Sequence, residues 1–307
     1  METIVKNIDR ASPAVRNREA LYPAIGFFVV CTVPIVFVWE PLSSLSALVF
    51  KNDTFAYIPL IPMVSLYFVF IERKSIFSMI SYGWQIGSAL IVPGTIGLVL
   101  ARLNPWHLSS HNQSSLMVLA FVFLWSGAFA LFFGSQSFQK ASFPLMFLLF
   151  MIPIPEPLLS QAVFMLQQGS AKAAEWIFGI FGVPYLREGL DFALPGVTIR
   201  VAEECSGIRS SLALMITTVL ASHLFLRKAW NKLLLCAVVV PIAMFKNGLR
   251  IATLSTLAVY VNPGFLHGRL HHQGGIVFFL IALVPMGLLL VLLQKIENSG
   301  PAVAKNL

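Results

Sequence analysis

Long apolar runs separated by short polar links dominate the chain. A spanning helix needs about 20 mostly apolar residues. Runs of that kind fall at roughly 22–40, 55–72, 84–102, 114–134, 142–154, 205–226, 232–260 and 274–294. The pattern predicts an all-α polytopic membrane protein with about eight transmembrane helices. The fifth run is short and ends in PIPEP, so it is expected to tilt or to continue into the next segment. Residues 158–181 place apolar side chains at helical spacing but also carry Gln161, Gln167, Gln168, Lys172 and Glu175. That mixture predicts an amphipathic helix at the interface or against the bundle, with a spanning helix as the alternative.

One link departs from the pattern. GVPYLREGLDFALPGVTIRVAEEC contains two short extended runs, Leu190–Leu194 and Val197–Ala202, around Pro195-Gly196, a turn signal. It predicts a small extracytoplasmic β-hairpin that delivers the chain to Cys205, just before the sixth helix. With no internal repeat and no low-complexity tract, residues 1–307 read as a single integral membrane domain. Residues 1–22 form a polar, basic cytoplasmic segment, and 297–307 a polar cytoplasmic tail. The run Tyr22–Trp39 lacks a convincing small-residue cleavage site, so it reads as an uncleaved signal-anchor helix.

Composition agrees with the runs. The chain of 307 residues is 57% hydrophobic and 11% charged, against about 25% charged in soluble domains, and its mean hydropathy is +0.82. The net charge of +8 lies in the links and not in a basic, aromatic patch. Lys and Arg there set topology and touch anionic headgroups, which argues against a nucleic-acid partner. With the N-terminus inside, Arg73, Lys74, Lys140, Arg227, Lys228, Lys232, Lys295 and Lys305 collect on the cytoplasmic side. Lys51, Arg102, Lys172, Arg187, Arg200 and Arg269 fall outside. Counting the basic N-terminal cluster, the inside holds roughly twice as many, and both termini come out cytoplasmic.

Three polar constellations interrupt this apolar background. Cys31 and Cys236 sit inside apolar runs, where a thiol behaves as a small hydrophobe. Cys205 sits instead in AEECSGIRS, within the first turn of the helix that follows. Free N–H groups and the helix dipole favour a thiolate there. Glu203 and Glu204 oppose it, so a reactive Cys205 requires a cation nearby. In MFKNGLRIATLS, Lys246, Asn247 and Arg250 lie inside a span, where an ionisable residue is a functional hypothesis by default. Arg250 is roughly 25 Å along that helix at about 1.5 Å per residue, at the depth of Cys205. Snorkelling to headgroups is the competing explanation, plausible for Lys246 and less so for Arg250. Asn247 is one turn from Arg250 and suits fixing its guanidinium. In FLHGRLHHQGGIVFF, three of the six histidines, His267, His271 and His272, precede the last span on the outer side. Histidine is the usual acid/base near neutral pH, and the i, i+4 pair His267/His271 also suits a metal. Gly274-Gly275 lets backbone approach closely at that helix entrance. Cysteine, arginine and histidine from three helices thus meet one outer face: nucleophile, fixed positive charge and base.

AEECSGIRS, NGLRI and LHHQGG ahead of a final apolar helix, in that order, resemble the exosortase/archaeosortase family. FLLFMIPIPEPLL followed by a helical stretch and a hairpin into VAEEC resembles its lead-in. The likeness covers about residues 140–295. It implies a multi-pass membrane cysteine protease or transpeptidase. Such an enzyme cleaves C-terminal sorting signals of the PEP-CTERM type in exopolysaccharide-producing Gram-negative bacteria. Carried over, Cys205 is the nucleophile, Arg250 stabilises thiolate and oxyanion, and His271 is the general acid/base. Asn247, Ser206, Gly207, His267, His272 and Gly275 support them. Family members often carry His-Asp then Gly-Trp at the last site, whereas His271-His272 then Gly274-Gly275-Ile276 stand here. That leaves His267 and His272 as further candidates for the base. The resemblance implies no cofactor and an inner-membrane location with the site on the periplasmic face. It also implies substrates ending in a short motif, an apolar helix and a basic cluster, and an accessory periplasmic protein as a separate chain. Two other classes fit parts of the pattern: a metal-dependent peptidase using His267, His271 and a glutamate, and a transporter using Lys246 and Arg250.

Overall fold

The structure, a computed structural model, describes residues 26–27, 55–202, 206–266 and 275–299. The chain groups into two compact units, residues 1–156 and 157–307, each taken by itself below.

In the first unit α1 spans Leu60–Ile76, α2 Trp84–Leu103, α3 Ser110–Lys140 and α4 Ser142–Phe147, with a 3-10 turn at Leu148–Met151. α2 and α3 pack through small residues. A Cβ on Gly127 would lie 2.9 Å from the Ile91 nitrogen and 3.0 Å from the Gly87 oxygen. Close backbone approach of this kind is how helices associate where lipid removes the hydrophobic drive between them. α4 and its 3-10 turn are all that the expected fifth span makes on its own. Pro153 and Pro155 lack the N–H that a continuing helix needs.

The second unit holds α5 (Glu156–Phe181, its first residue in the first unit), β1 (Leu186–Glu188), β2 (Asp191–Leu194), β3 (Val197–Arg200), α6 (Ile208–Phe225), α7 (Ala229–Tyr260) and α8 (Gly275–Ser299). β2 and β3 pair antiparallel across Pro195-Gly196, with Leu194 opposite Val197 and Asp191 opposite Arg200. Gly196 takes φ +79°, which only glycine adopts cheaply. β1 adds a strand beyond the two extended runs read from the sequence, giving a sheet of order β1-β2-β3. Its inner face, Phe192 and Leu194, packs on Ala171, Ala174, Ile177 and Phe178 of α5 and Ile251 and Ala252 of α7. Arg187 of β1 is ion-paired to Glu175 of α5. A second core joins Leu166 of α5, Leu214 of α6, Leu235, Val239 and Ala243 of α7, and Ala282, Met286 and Leu293 of α8. At the far end of α8 the Glu297 carboxylate accepts the backbone N–H groups of Arg227 at 2.8 Å and Lys228 at 2.9 Å.

Five described helices, α2, α3, α6, α7 and α8, are long and apolar enough to cross a membrane. Ser142–Met151 with Glu156–Phe181 makes a sixth if that bent pair counts as one span. Of the eight expected runs, 22–40 lies outside the described residues save Gly26 and Phe27. The run at 55–72 yields α1, 17 residues long, somewhat short for a straight crossing. The protein is thus a mostly helical, polytopic membrane protein. α8 makes the point locally: Ile276, Leu280, Val284 and Leu288 stand exposed, a surface that lipid and not water covers.

Candidate active site

α6 begins at Gly207, whose φ of +74° is left-handed. That conformation favours glycine, and the packing demands it too. A Cβ there would sit 2.9 Å from Asn247 Oδ1 and 3.0 Å from its Cγ. Two of the sequence's polar constellations therefore touch, the Ser206-Gly207 entrance of α6 and Asn247 of α7. Ser206 is fully buried and its hydroxyl accepts the Ile208 N–H at 3.4 Å. The hydroxyls that follow are satisfied inside the helix, Ser211 donating to the Gly207 carbonyl at 2.8 Å and Thr218 to Leu214 at 2.7 Å. Such back-bonding suits a helix with no water beside it.

α5 supports this junction from the other side. Asn247 Nδ2 donates to Ser170 Oγ at 3.1 Å. One turn earlier, Gln167 Nε2 donates to the carbonyl of Val201 at 2.8 Å. Val201 is itself buried, and its N–H bonds the Leu190 carbonyl at 3.0 Å. α5 and α7 approach closely enough at Gly248 that a Cβ would lie 2.8 Å from the Ser170 oxygen. Val201 is thus bonded to α5, and Gly207 packs closely against α7.

Lys246 is 3% exposed and its ammonium donates to Ser210 Oγ in the first turn of α6. Snorkelling does not describe it: the side chain turns into the protein. Arg250 lies one turn along α7 and is half-buried. The Asn247 amide nitrogen donates to Ser170 Oγ, and its oxygen lies where a Cβ on Gly207 would meet it. Cys205, Glu203, Glu204, His267, His271 and His272 lie outside the described residues. Gly275 opens α8, and a Cβ there meets nothing within 4 Å among the described residues; Gly274 lies outside them.

Gln167, Ser170 and Ser210 are the site residues that sequence reasoning missed. Gln167 read as part of the polar face of an interfacial helix. A signal was available: Gln167 and Ser170 share the i, i+3, i+4 stripe of Ala171, Ala174 and Ile177, the buried face of α5. A polar pair on an apolar stripe requires internal partners.

The sequence profile of the family described as transmembrane exosortase matches residues 49–288. No curated protein and no solved structure matches the chain.

Proposed function

We propose, since the chain belongs to the transmembrane exosortase family, that it is a cysteine transpeptidase or protease of C-terminal sorting signals. Cys205 thiolate attacks a peptide carbonyl at the boundary of the substrate's own apolar helix, forming a C–S bond and a tetrahedral oxyanion. Arg250 stabilises both anions. The C–N bond then breaks, and the leaving amine takes its proton from His271. An incoming amine or water gives its proton back to His271, attacks the thioester and releases Cys205 as thiolate. The substrate is a secreted protein of the PEP-CTERM type, held by its tail helix among the spans. The site faces the periplasm, in an inner-membrane protein with both termini cytoplasmic, and a separate periplasmic protein assists.

The observation that carries this reading is the packing of the residues that flank Cys205 in sequence, Val201 against α5 and Gly207 against α7. A nucleophile needs a fixed backbone to hold its attack geometry. Gln167 of α5 bonds the Val201 carbonyl on one side, and Asn247 of α7, the helix that also bears Arg250, packs closely at Gly207 on the other. The test is processing of a tagged substrate carrying a short motif, apolar helix and basic cluster in cells holding Cys205→Ala. Complete loss of the cleaved product is expected, together with a trappable thioester on the parent enzyme. Cleavage that survives the substitution removes Cys205 as nucleophile.

A further inference from the structure

One buried amine and one hydroxyl take no part in the cysteine chemistry proposed above. Lys246 is almost fully enclosed, in the middle of α7, in an otherwise apolar run. Its Nζ is hydrogen-bonded to Ser210 Oγ in the first turn of α6. Among the described residues no carboxylate is paired with Lys246. Arg250, one turn along α7, has the same sign, and Arg209 of α6 is exposed. The first turn of α6 is the positive end of its dipole. The α5 face against α7 presents the neutral Gln167 and Ser170, while Glu175 is committed to Arg187. α8 carries its charges, Lys295 and Glu297, in its last turns, where Glu297 holds the Arg227 and Lys228 backbone. A permanent ammonium in such a place is expensive to keep.

The hydroxyl is placed to give up its proton. Three donors converge on the Gly207 carbonyl: the Ser211 N–H at 2.9 Å, Ser211 Oγ at 2.8 Å and Ser210 Oγ at 3.0 Å. A carbonyl oxygen has two lone pairs. Ser211 fills both, so the Ser210 O–H is surplus there and can turn to Lys246 Nζ. Ser210 is half-buried where Lys246 is enclosed. The hydroxyl is therefore the member of the pair that an incoming group reaches first. A hydroxyl and a base within hydrogen-bond reach are the signature of an activated nucleophile.

We infer that Ser210 and Lys246 form a serine–lysine dyad, a second acyl-transfer site that acts on a carboxylic ester with an apolar acyl chain. The inference goes beyond the proposed function and does not rest on Cys205. Ser210 Oγ bonds to the ester carbonyl carbon while its proton passes to the Lys246 amine. The Ser210 N–H, in the first turn of α6, has no intrahelical partner and serves the oxyanion. The bond to the alcohol oxygen then breaks, and the alcohol leaves with the proton from Lys246. Water gives a proton to Lys246, attacks the acyl-serine and releases the acid, and Ser210 takes the proton back. An ester fits because its alcohol leaves more readily than an amine and the dyad has a single proton carrier. An apolar chain fits because Ser210 opens an apolar span.

The test uses the full chain in liposomes, carrying Cys205→Ala so that the thiol contributes nothing. A fluorophosphonate probe is added and the labelled residue is mapped by mass spectrometry. Hydrolysis of p-nitrophenyl butyrate is followed alongside. Label on Ser210 and not on Ser211 is expected, with ester hydrolysis that Ser210→Ala removes. Lys246→Arg keeps a donor and a charge but does not yield its proton. It is expected to lower both labelling and hydrolysis by about 100-fold or more, the usual effect of losing a general base. A lysine that merely ties α6 to α7 predicts parent rates in that variant, and parent rates overturn the inference. Should the Lys246 variant fail to assemble, the label map of the parent decides, since an unlabelled Ser210 also overturns it. Cleavage of a sorting signal by the Cys205→Ala protein would instead defeat the proposed function, and it is scored on the peptide and not on the ester.

Discussion

Gly207 and Asn247 lie so close, where the entrance of α6 meets the middle of α7, that the side-chain amide leaves no room for a Cβ at position 207. Gly207→Ala puts a Cβ 2.9 Å from Asn247 Oδ1 on a residue at φ +74°. Left-handed backbone alone costs a non-glycine residue about 1–2 kcal/mol, and the clash adds to it. The expected outcome is a lower melting temperature in detergent and a severe loss of substrate processing. Adding Asn247→Ala removes the clashing amide while the backbone cost stays. The double variant should therefore regain part of the stability that the glycine substitution loses. Parent-like melting of Gly207→Ala would show that the contact is dispensable.

Gln167 holds the Val201 carbonyl on the other side of Cys205. Gln167→Leu keeps most of the volume and strands a buried carbonyl, a change worth about 1–3 kcal/mol. Thermal unfolding should register that loss. Under the proposed function turnover should fall further than stability predicts, because Val201 lies four residues before Cys205. A variant that is destabilised yet processes substrate at the parent rate would reduce Gln167 to a core residue.

What the sequence disclosed follows from range. Apolar runs are local and long, so the polytopic helical class and the positions of α2, α3, α6, α7 and α8 are readable from spacing. The Pro195-Gly196 turn is equally local, and the strands on either side of it fall where the extended runs lie. β1 escapes notice because LRE has no period of its own and exists only as a partner for β2. The site parts were readable as residue types, since charges inside a span are conspicuous. Their partners were not. Nothing near Lys246 in sequence points to Ser210, 36 residues away, and nothing near Asn247 points to Ser170, 77 residues away. Long-range polar pairing depends on how helices are rotated, which hydrophobic periodicity fixes only coarsely.

Glycines 169 and 248 provide an internal comparison of the α5–α7 contact. At Gly248 a Cβ meets backbone, the Ser170 oxygen at 2.8 Å and the Ala174 nitrogen at 2.9 Å. At Gly169 it meets the Met244 side chain, whose sulfur and methyl can swing away. Gly248→Ala should therefore lower stability by about 1–3 kcal/mol through overpacking, and Gly169→Ala by clearly less. Unfolding midpoints of the two variants in one detergent decide it. Equal effects would mean that α5 and α7 can separate at little cost.

The chemistry of the histidines separates a thiol enzyme from a metal enzyme. A metallopeptidase built on His267, His271 and a glutamate activates water by lowering its pKa at the ion, and needs no sulfur. A cysteine enzyme uses the same histidines as proton carriers and needs no ion. The two readings therefore predict opposite responses to a crossed treatment. Under the proposed function, a strong chelator such as phenanthroline leaves processing unchanged in purified proteoliposomes. Iodoacetamide abolishes it in the protein whose single thiol is Cys205. His271→Ala lowers the rate and leaves Cys205 open to alkylation, because removing the acid/base does not remove the thiol. Chelator-sensitive processing that is restored by added zinc and indifferent to iodoacetamide would transfer the catalytic role from Cys205 to the histidine cluster.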